Sequence, residues 1–351
     1  MPLLTPDKLH QIGCEVLEAT GCTAEDSRKV VDHLVDSNLF GHDSHGAIRL
    51  PEYVKAIKDE GRFKAQADVK IIRETPCTAV VDNGGALGQI GATFAMQLAM
   101  EKARKYGTAT VTLRRTSHVG RVGAYPLMAA REGLIGLAFV NAGRFGRQIA
   151  PFGGIDGRIS TNPIAFSAPR QHSEPIMVDL TTSVVAEGKV RVAVNKGEEV
   201  PEGWLIDHEG NSTTDPTVIK GPPPNGAILP MGGIVAHKGY SLGLLVEILG
   251  GALSGQGCAQ GQKMESNGVL FTVYDISFFA ELDWYYKEVE TLVNHVKTSR
   301  PAKGFDEILI PGEPEFRLAA QRRENGIKLD ETTWQQLREA GTRVGLNPDK
   351  W

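Results

Sequence analysis

Apolar and polar positions near the start of the chain alternate with the period of an amphipathic α-helix. The apolar positions of the first such segment are Leu9, Ile12, Val16 and Leu17. Thr5 and Pro6 supply an N-cap and a first-turn proline, and Gly21 ends the segment. Thr23 with Asp26 resembles a capping box and starts a second helix through 30–35. The chain is therefore predicted to open with a helical lobe that leads into residues 41–46.

Strand-like and helix-like patterns alternate after residue 68. The strands are predicted at 69–74, 77–83, 108–115 and 134–142, and the helices at 88–106 and 122–133. A turn-rich segment at 83–85 separates the second strand from the first of these helices. This alternation is typical of an α/β protein with a largely buried sheet.

The remaining pattern predicts a loop-rich region and further helices. Residues 201–229 are rich in Gly, Pro, Asp and Asn and are predicted to form loops with short strands. Helices are predicted at 184–192, 239–254, 280–298, 313–325 and 331–345, and a strand at 268–276. We expect the last two helices to fold back on the N-terminal lobe. The predicted domains are 1–75, completed by about 300–351, and an α/β core of 76–299 with a loop-rich subregion at about 195–235.

Composition and charge narrow the class of protein. The chain has 38 Lys and Arg against 42 Asp and Glu, a formal charge of −4, so no basic excess favours a nucleic-acid partner. No stretch reaches the roughly 18 apolar residues of a membrane span, and the charged N-terminus is unlike a signal peptide. Cys14, Cys22, Cys77 and Cys258 lack CxxC spacing, which favours reduced thiols. These features predict a cytoplasmic enzyme with no nucleic-acid or membrane partner.

The first candidate cluster is the segment 42–46, HDSHG, with Arg49 and Tyr53 downstream. If a helix begins near Gly46, Arg49 and Tyr53 share one of its faces, and Ser44 and His45 lie at its N-terminal end, where anions are favoured. An arginine fork, a hydroxyl and backbone N–H groups suit a carboxylate. The alternative is that Ser44 is only an N-cap and Arg49 a solvated side chain. A zinc site at the two histidines of the segment lacks further ligands at suitable spacing.

The second cluster, TSHVGR at 116–121, directly follows a predicted strand. A histidine at the carboxyl end of a strand, followed by a glycine that lets a ligand approach, is well placed for acid–base chemistry. Carbonyl reduction needs a group with a near-neutral pKa to supply a proton, and the imidazole of His118 suits that task. The alternative is a histidine bonded to a loop carbonyl.

Three further segments carry weaker signals. STNP at 160–163 is first a turn signal, although its polar side chains could hold a carboxamide. MVDLTTS at 177–183 ends a strand with hydroxyls that could cradle phosphate or ribose, while helix capping by Thr182 or Ser183 explains the same residues. AHKGY at 236–240 opens an apolar helix, and its cations oppose the helix dipole unless an anion lies nearby.

Several common fingerprints do not occur. No strand is followed by GxGxxG with an acidic residue about 20 positions on, so an ordinary Rossmann site is unsupported. Walker A and HExxH motifs are also missing from the sequence.

Taken in order, the motifs resemble the malate/L-lactate dehydrogenase family of the non-Rossmann, L-sulfolactate dehydrogenase-like type, and within it the bacterial hydroxycarboxylate dehydrogenase B branch. The matching segments are GHDSHGAIRLPEYV, TSHVGRVGAYP, STNPIAFSAPR, VDLTTSVVAEGKVRVA, GWLIDHEGNSTTDP, HKGYSLGLLVEILGGALSG and IPGEPE. The resemblance implies an α/β fold with a mixed sheet, a homodimer, and a 76–299 core that binds NAD or NADP, with NAD slightly favoured. One departure is Arg49, where the hydroxycarboxylate dehydrogenase B branch can carry an apolar residue; it favours firm carboxylate binding over an aromatic oxo acid.

The resemblance also implies site residues. His118 would be the catalytic acid/base, with His45 beside the nicotinamide and substrate. Ser44, Arg49 and Tyr53 would hold the substrate. Cofactor contacts would come from His45, Gly120, Arg121, Val122, Thr161, Asn162, Met177, Val178, Asp179, Leu180, Thr181, His237, Lys238, Asn267, Gly312, Glu313, Pro314 and Glu315. No metal site is expected.

The predicted reaction is hydride transfer between a nicotinamide cofactor and a small 2-oxo or 2-hydroxy acid, with His118 exchanging the proton. A rival within the family is reduction of a cyclic imine such as piperideine-2-carboxylate. Rivals from other classes are a metal-dependent hydrolase using His42, Asp43 and His45, and a binding protein without a cofactor. Lys189 and Arg191 could meet a 2′-phosphate, but solvated helix charges are the commoner explanation.

Overall fold

The computed structural model describes residues 1–66, 68–141, 143, 147–220, 225–260 and 266–351. Its α-helices are α1 Pro6–Ala19, α2 Ala24–Leu39, α3 Leu50–Lys58, α4 Gly88–Tyr106, α5 Ala124–Arg131, α6 Glu187–Lys196, α7 His237–Val246, α8 Leu282–Lys297, α9 Glu313–Asn325 and α10 Glu331–Arg343. The first two begin as predicted, because the hydroxyls of Thr5 and Thr23 accept from the backbone N–H groups of Lys8 and Asp26 at 3.2 and 3.1 Å.

The strands are β1 Leu3–Leu4, β2 Lys70–Glu74, β3 Thr78–Asp82, β4 Thr108–Thr116, β5 Leu134–Asn141, β6 Ile164–Ala168, β7 Ile176–Leu180, β8 Leu205–Asp207, β9 Ser212–Thr213, β10 Gly226–Ile228, β11 Asn267–Asp275 and β12 Ile327–Lys328. The main sheet has the order β2-β3-β4-β11-β5-β6-β7. Its β3–β4 pair is parallel and is joined by α4, whereas the other pairs are antiparallel. The predicted mixed, non-Rossmann sheet is therefore confirmed; residue 142, the last of the strand predicted at 134–142, lies outside the described residues.

The helix predicted to begin near Gly46 is wrong, because two 3₁₀ turns, Asp43–His45 and Ala47–Arg49, precede α3. Gly46 joins them in an extended conformation, and a Cβ built on it would lie 2.2 Å from Oδ1 of Asn38. That same oxygen accepts the N–H of Ala47 at 2.8 Å. Arg49 consequently precedes α3 as its N-cap instead of sharing a helical face with Tyr53.

The predicted helix at 184–192 also starts later, at Glu187. Residues before it extend alongside the small sheet β10-β8-β9, where the N–H of Val184 donates to the carbonyl of Leu229 at 3.0 Å. Neither Thr182 nor Ser183 caps the helix; Ala186 stands at its N-cap. The helix near 239–254 is formed by α7 and continues in π-helical geometry over Glu247–Ala252. Residues 221–224 of the predicted loop-rich region lie outside the described residues.

The last helices pack against the first ones. Ala319 of α9 and Leu337 of α10 share one buried core with Leu9 and Val31. β1 pairs with β12 in the same region. The same core includes Met177 of β7, so it is continuous with the sheet that carries the candidate site. The exact division into lobes remains a prediction. In the described part of the chain, no helix has both the length and the apolar character needed to cross a membrane.

Candidate active site

His118 lies two residues beyond the end of β4, at a point fixed from two sides. Val119 donates its N–H to Oδ1 of Asn267 at 3.0 Å, which ties the segment to β11. Gly88, the first residue of α4, packs directly on the same segment. A Cβ on Gly88 would lie 2.4 Å from the carbonyl oxygen of His118, so only glycine permits this approach.

The imidazole of His118 contacts Tyr53 and His45. Its Nδ1 lies 3.2 Å from the hydroxyl of Tyr53, and that hydroxyl accepts from Nε2 of Gln89 at 2.8 Å. Tyr53 and Gln89 are fully buried, whereas His118 is half-buried. The ring of His45 stacks on that of His118, with centroids 5.3 Å apart and planes at 23°. With Nδ1 occupied by Tyr53, Nε2 is the nitrogen that remains for a substrate.

The turns before α3 hold the other predicted substrate residues beside these rings. The hydroxyl of Ser44 lies 3.0 Å from Nδ1 of His45. Arg49 donates from Nε to the carbonyl of Ser44 at 2.8 Å and pairs through Nη1 with Glu52 at 2.8 Å. The structure therefore brings together Ser44, His45, Arg49, Tyr53 and His118, as the sequence predicts.

A clamp from the far end of the chain supports this turn. Arg322 of α9 forms a forked ion pair with Asp43, at 2.8 and 3.1 Å, and also donates to the carbonyl of Asn38. Asn38 in turn donates to Asp43 at 2.7 Å. Asp43 is thus engaged by Arg322, and in the described ranges no group of three or more His, Cys, Asp or Glu side chains could hold a metal ion.

Burial and neighbouring positive charge keep the site imidazoles neutral. The pKa of His118 lies well below its usual range because of burial and, next, the nearby Arg49. The pKa of His45 falls to about 3 for the same two reasons. Burial raises the pKa of Tyr53 to about 12, so its hydroxyl keeps its proton at neutral pH. The site therefore favours an anion over a further cation.

Three predicted cofactor segments converge next to the 42–46 turn. Gly123 donates its N–H to Oδ2 of Asp179 at 2.9 Å, which joins the 120–122 segment to β7. Met177 at the other end of β7 donates its N–H to the carbonyl of Pro311 at 3.0 Å, which brings the 312–315 segment alongside. Val178, Leu180 and Thr181 belong to or follow the same strand. These contacts place the three segments next to one another, and their role as cofactor contacts stays a prediction.

Several charged groups in this region already interact with other residues of the protein. Burial raises the pKa of Asp179. Burial also lowers the pKa of His42, whereas the negative charge of Asp179 acts in the opposite direction on that pKa. Glu313 pairs with Lys297 at 2.8 Å and accepts the N–H of Ile310 at 3.0 Å. Its carboxylate is therefore used to anchor the start of α9 beside Pro314 and Glu315.

Arg121, a predicted cofactor contact, has a buried side chain that interacts with other residues of the protein. Its side chain is 1% exposed, pairs with Asp36 at 2.6 Å, and lies over the ring of Phe40 at 4.5 Å. Its N–H donates to Nε2 of His33 at 2.8 Å. The guanidinium thus stabilises the join between α2 and the 120–122 segment, and only backbone atoms of Arg121 can face a ligand.

A buried carboxylate organises the remaining predicted polar residues. Glu247 accepts from Nδ2 of Asn162 at 2.9 Å and from Nδ2 of Asn141 at 2.6 Å. The carbonyl of Asn141 accepts from Nδ2 of Asn267 at 3.2 Å, which continues the network to the His118 segment. Thr161, the neighbour of Asn162, connects this network to the 177–183 segment, because its carbonyl accepts the N–H of Thr182 at 2.9 Å.

His237 and Lys238 lie apart from this network. Both side chains are exposed at the start of α7, and the ring of His237 packs edge-on against Phe152 at 5.6 Å. Among the contacts of the described residues, none links either side chain to the His118 segment. Their cofactor role remains a prediction.

Sequence reasoning missed two buried polar residues of the site. Glu247 had a visible signal, since it interrupts the apolar run LLVEILGG. Gln89 had no such signal, because a glutamine near the start of a helix is common. Only the structure shows that its amide contacts the hydroxyl of Tyr53.

The fold is that of hydroxyacid dehydrogenases built on a mixed sheet. The model superimposes on the sulfolactate dehydrogenase of Methanocaldococcus jannaschii with a TM-score of 0.89 and 34% identity, covering 100% of this chain and 99% of that one. The family model for malate/L-lactate dehydrogenase matches residues 4–338, and the chain belongs to that family.

Curated relatives include a malate dehydrogenase from Pyrococcus horikoshii, 37% identical over 97% of this chain and 95% of that protein. They also include hydroxycarboxylate dehydrogenase B from Escherichia coli K12, 35% identical over 96% of this chain and 93% of that protein. The resemblance predicted from the ordered motifs is confirmed.

Proposed function

We propose that the protein is an NAD(P)-dependent oxidoreductase that interconverts a small 2-oxo acid and its 2-hydroxy acid, with His118 as general acid and base. The observation that carries this proposal is the position of His118. Its Nδ1 is held by Tyr53, which leaves Nε2 for a substrate in the same site as Ser44 and Arg49. Membership of a hydroxyacid dehydrogenase family supports it.

The residues around Asp179 suit the ribose of a nicotinamide dinucleotide. Gly123 engages Oδ2 of Asp179, and no contact among the described residues engages Oδ1, which can accept from a ribose hydroxyl. When bound, the cofactor supplies or accepts the hydride. NAD is the preferred cofactor of this proposal; Lys189 and Arg191 are exposed on α6, as is common for solvated helix charges.

The protein residues then bind the acid and move its proton. Arg49 and the hydroxyl of Ser44 hold the carboxylate, which fixes the reacting carbon relative to His118. In reduction, protonated His118 donates from Nε2 to the carbonyl oxygen; in oxidation, neutral His118 accepts that proton at Nε2. A bound carboxylate also offsets the charge of Arg49, which removes one cause of the low pKa of His118.

The test is a matrix of NAD(H) and NADP(H) against 2-oxo acids, 2-hydroxy acids and cyclic imino acids, read by absorbance of the reduced cofactor. We expect turnover of a 2-oxo or 2-hydroxy acid that persists in the presence of a chelator. Turnover of cyclic imines alone would favour the imine reductase. Loss of activity with chelator would favour the hydrolase. No rise in melting temperature with NADH would favour a cofactor-free binding protein.

The pH dependence of oxidation should reflect the low pKa of His118. Neutral His118 is the base, so kcat/KM for the hydroxy acid falls as the pH drops through its pKa. Because burial and Arg49 hold that pKa below 6.5, the plateau should extend below pH 6.5. Arg49→Met removes one cause of the shift and should move the acid limb to higher pH. A limb above pH 6.5 in the unaltered protein would contradict the prediction, and buffers of constant ionic strength serve as the control.

We also propose a cytoplasmic homodimer. The helical segment 237–254 exposes Ile248 and Leu253 at 60% and 59%, and Ile234 just before it is 99% exposed. Large apolar side chains exposed close together in sequence are a common feature of protein interfaces. Light scattering on the purified protein should give twice the 37.9 kDa chain mass, and a monomer at micromolar concentration would contradict the proposal.

A further inference from the structure

A buried polar chain leads away from the imidazole of His118. It runs from Nδ1 of His118 to the hydroxyl of Tyr53 at 3.2 Å and on to the amide of Gln89 at 2.8 Å. Gln89 is 0% exposed, and its other amide atom, Oε1, is buried without a hydrogen-bond partner in the described structure. A buried amide oxygen without a donor is unusual in folded proteins. This series of hydrogen bonds therefore ends on the amide of Gln89, which can also adopt the orientation with its oxygen and nitrogen exchanged.

The alternative arrangement follows from the chemistry of the three groups. With Nε2 of Gln89 donating to Tyr53, the tyrosine proton points to Nδ1 of His118, and His118 carries its own proton on Nε2. Turning the amide by 180° brings Oε1 to the hydroxyl. Tyr53 then donates to Gln89 and accepts from Nδ1–H of His118, which leaves a lone pair on Nε2. The same atoms thus support either tautomer of the imidazole.

Among the residues that the structure describes, no carboxylate contacts Nδ1 of His118 in place of Tyr53 and Gln89. Catalytic histidines are commonly oriented by a carboxylate or a backbone carbonyl at the second nitrogen. Within the described ranges, the charged or titratable groups that face His118 are His33 from α2, His45 and Arg49 from the 3₁₀ turns, and Tyr53 from α3. The residue that α4 contributes, Gln89, is uncharged. Control of the tautomer therefore rests with a hydroxyl and an amide.

We propose that Gln89 is a positioning residue whose amide, acting through the hydroxyl of Tyr53, decides which nitrogen of His118 carries the proton. Oxidation of a hydroxy acid needs the lone pair on Nε2, and hence the arrangement in which Oε1 of Gln89 accepts from Tyr53. This inference deepens the proposed function and rests on it for the catalytic consequence. The tautomer itself is a property of the resting protein and can be measured without substrate.

The test compares Gln89→Met, Tyr53→Phe and the double variant. Gln89→Met keeps the size of the side chain and removes both amide atoms, so it should lower kcat of oxidation about three- to tenfold, the usual range for one hydrogen bond. The KM for the cofactor should not change. In the Tyr53→Phe background the same substitution should have no further effect, because Gln89 acts only through Tyr53.

The spectroscopic readout uses protein labelled with ¹⁵N-histidine and no substrate. The Nδ1 and Nε2 shifts of His118, assigned with His118→Gln, should move in Gln89→Met and in Tyr53→Phe. Thr112→Val is the matched control, since it removes a buried unpartnered hydroxyl from β4, the strand that leads to His118. It should leave shifts and kcat unchanged.

Gln89→Glu serves if Gln89→Met does not fold. An ionised carboxylate can only accept, so it should favour Nδ1–H and move the acid limb of oxidation to higher pH, whereas Gln89→Met should move it lower. Unchanged ¹⁵N shifts in the folded variants, or additive effects of Gln89→Met and Tyr53→Phe on kcat, would overturn the proposal. If the ¹⁵N shifts of His118 change in the variants but His118→Ala turns over normally, Gln89 does control the tautomer of His118. In that case His118 is not the general acid and base.

Discussion

Replacing His118 with alanine should lower turnover by about 10²–10⁴-fold in both directions, which is the usual contribution of general acid–base catalysis. The substitution removes the Nε2 that exchanges the proton but leaves the Gly123–Asp179 contact and the 312–315 segment in place. Binding of the cofactor should therefore be nearly intact. Steady-state kinetics give the turnover, and fluorescence titration with NADH gives the dissociation constant.

His208→Ala is the control for this experiment, because His208 is exposed in a turn far along the chain from the site. It should behave as the unaltered protein. Normal turnover of His118→Ala would refute the proposed role. A parallel loss of cofactor affinity would instead indicate that His118 supports the architecture of the site.

Replacing Arg49 with lysine should lower kcat/KM for the oxo acid by about 10- to 100-fold, mainly through a higher KM. Lysine keeps the charge but loses the several directed N–H donors with which the guanidinium can bind more than one acceptor, and charge-assisted hydrogen bonds to carboxylates contribute about 1.5–3 kcal/mol. It would also lose the bond from Nε to the carbonyl of Ser44, which shapes the turn. The KM values for oxo acid and cofactor are the measurement.

A matched control for Arg49 is Arg104→Lys, because Arg104 also pairs with a glutamate, Glu132 at 2.6 Å, on the surface. We expect little change there, as exposed ion pairs contribute little. If Arg49→Lys raises the KM for the cofactor as much as that for the oxo acid, the carboxylate role is wrong.

Helix and strand positions were predictable where the pattern was local. The caps at Thr5 and Thr23 and the run 88–106 needed only neighbouring residues, and the structure confirms them. The start of α3 was not predictable from its own residues. It depends on Asn38, which binds the backbone of Ala47 and breaks the helix that Arg49 and Tyr53 suggest.

The candidate site was predictable as a set of residues but not as an arrangement. Ordered motifs named His45, Arg49 and His118, yet nothing in their spacing indicates that two imidazoles stack. The burial of the Arg121 side chain was not predictable either, because only the fold brings Asp36 and Phe40 against it.

The clamp between Arg322 and Asp43 has a consequence for how the protein folds. The two residues are 279 positions apart, so the turn that carries Ser44 and His45 has its local contacts from Asn38 first and gains the ion pair only after α9 has docked. Contacts of such long sequence separation form late, because closing a long loop costs conformational entropy before any contact compensates for it. During refolding, helical content should therefore recover before turnover does, and catalytic activity should appear only in the last folding step.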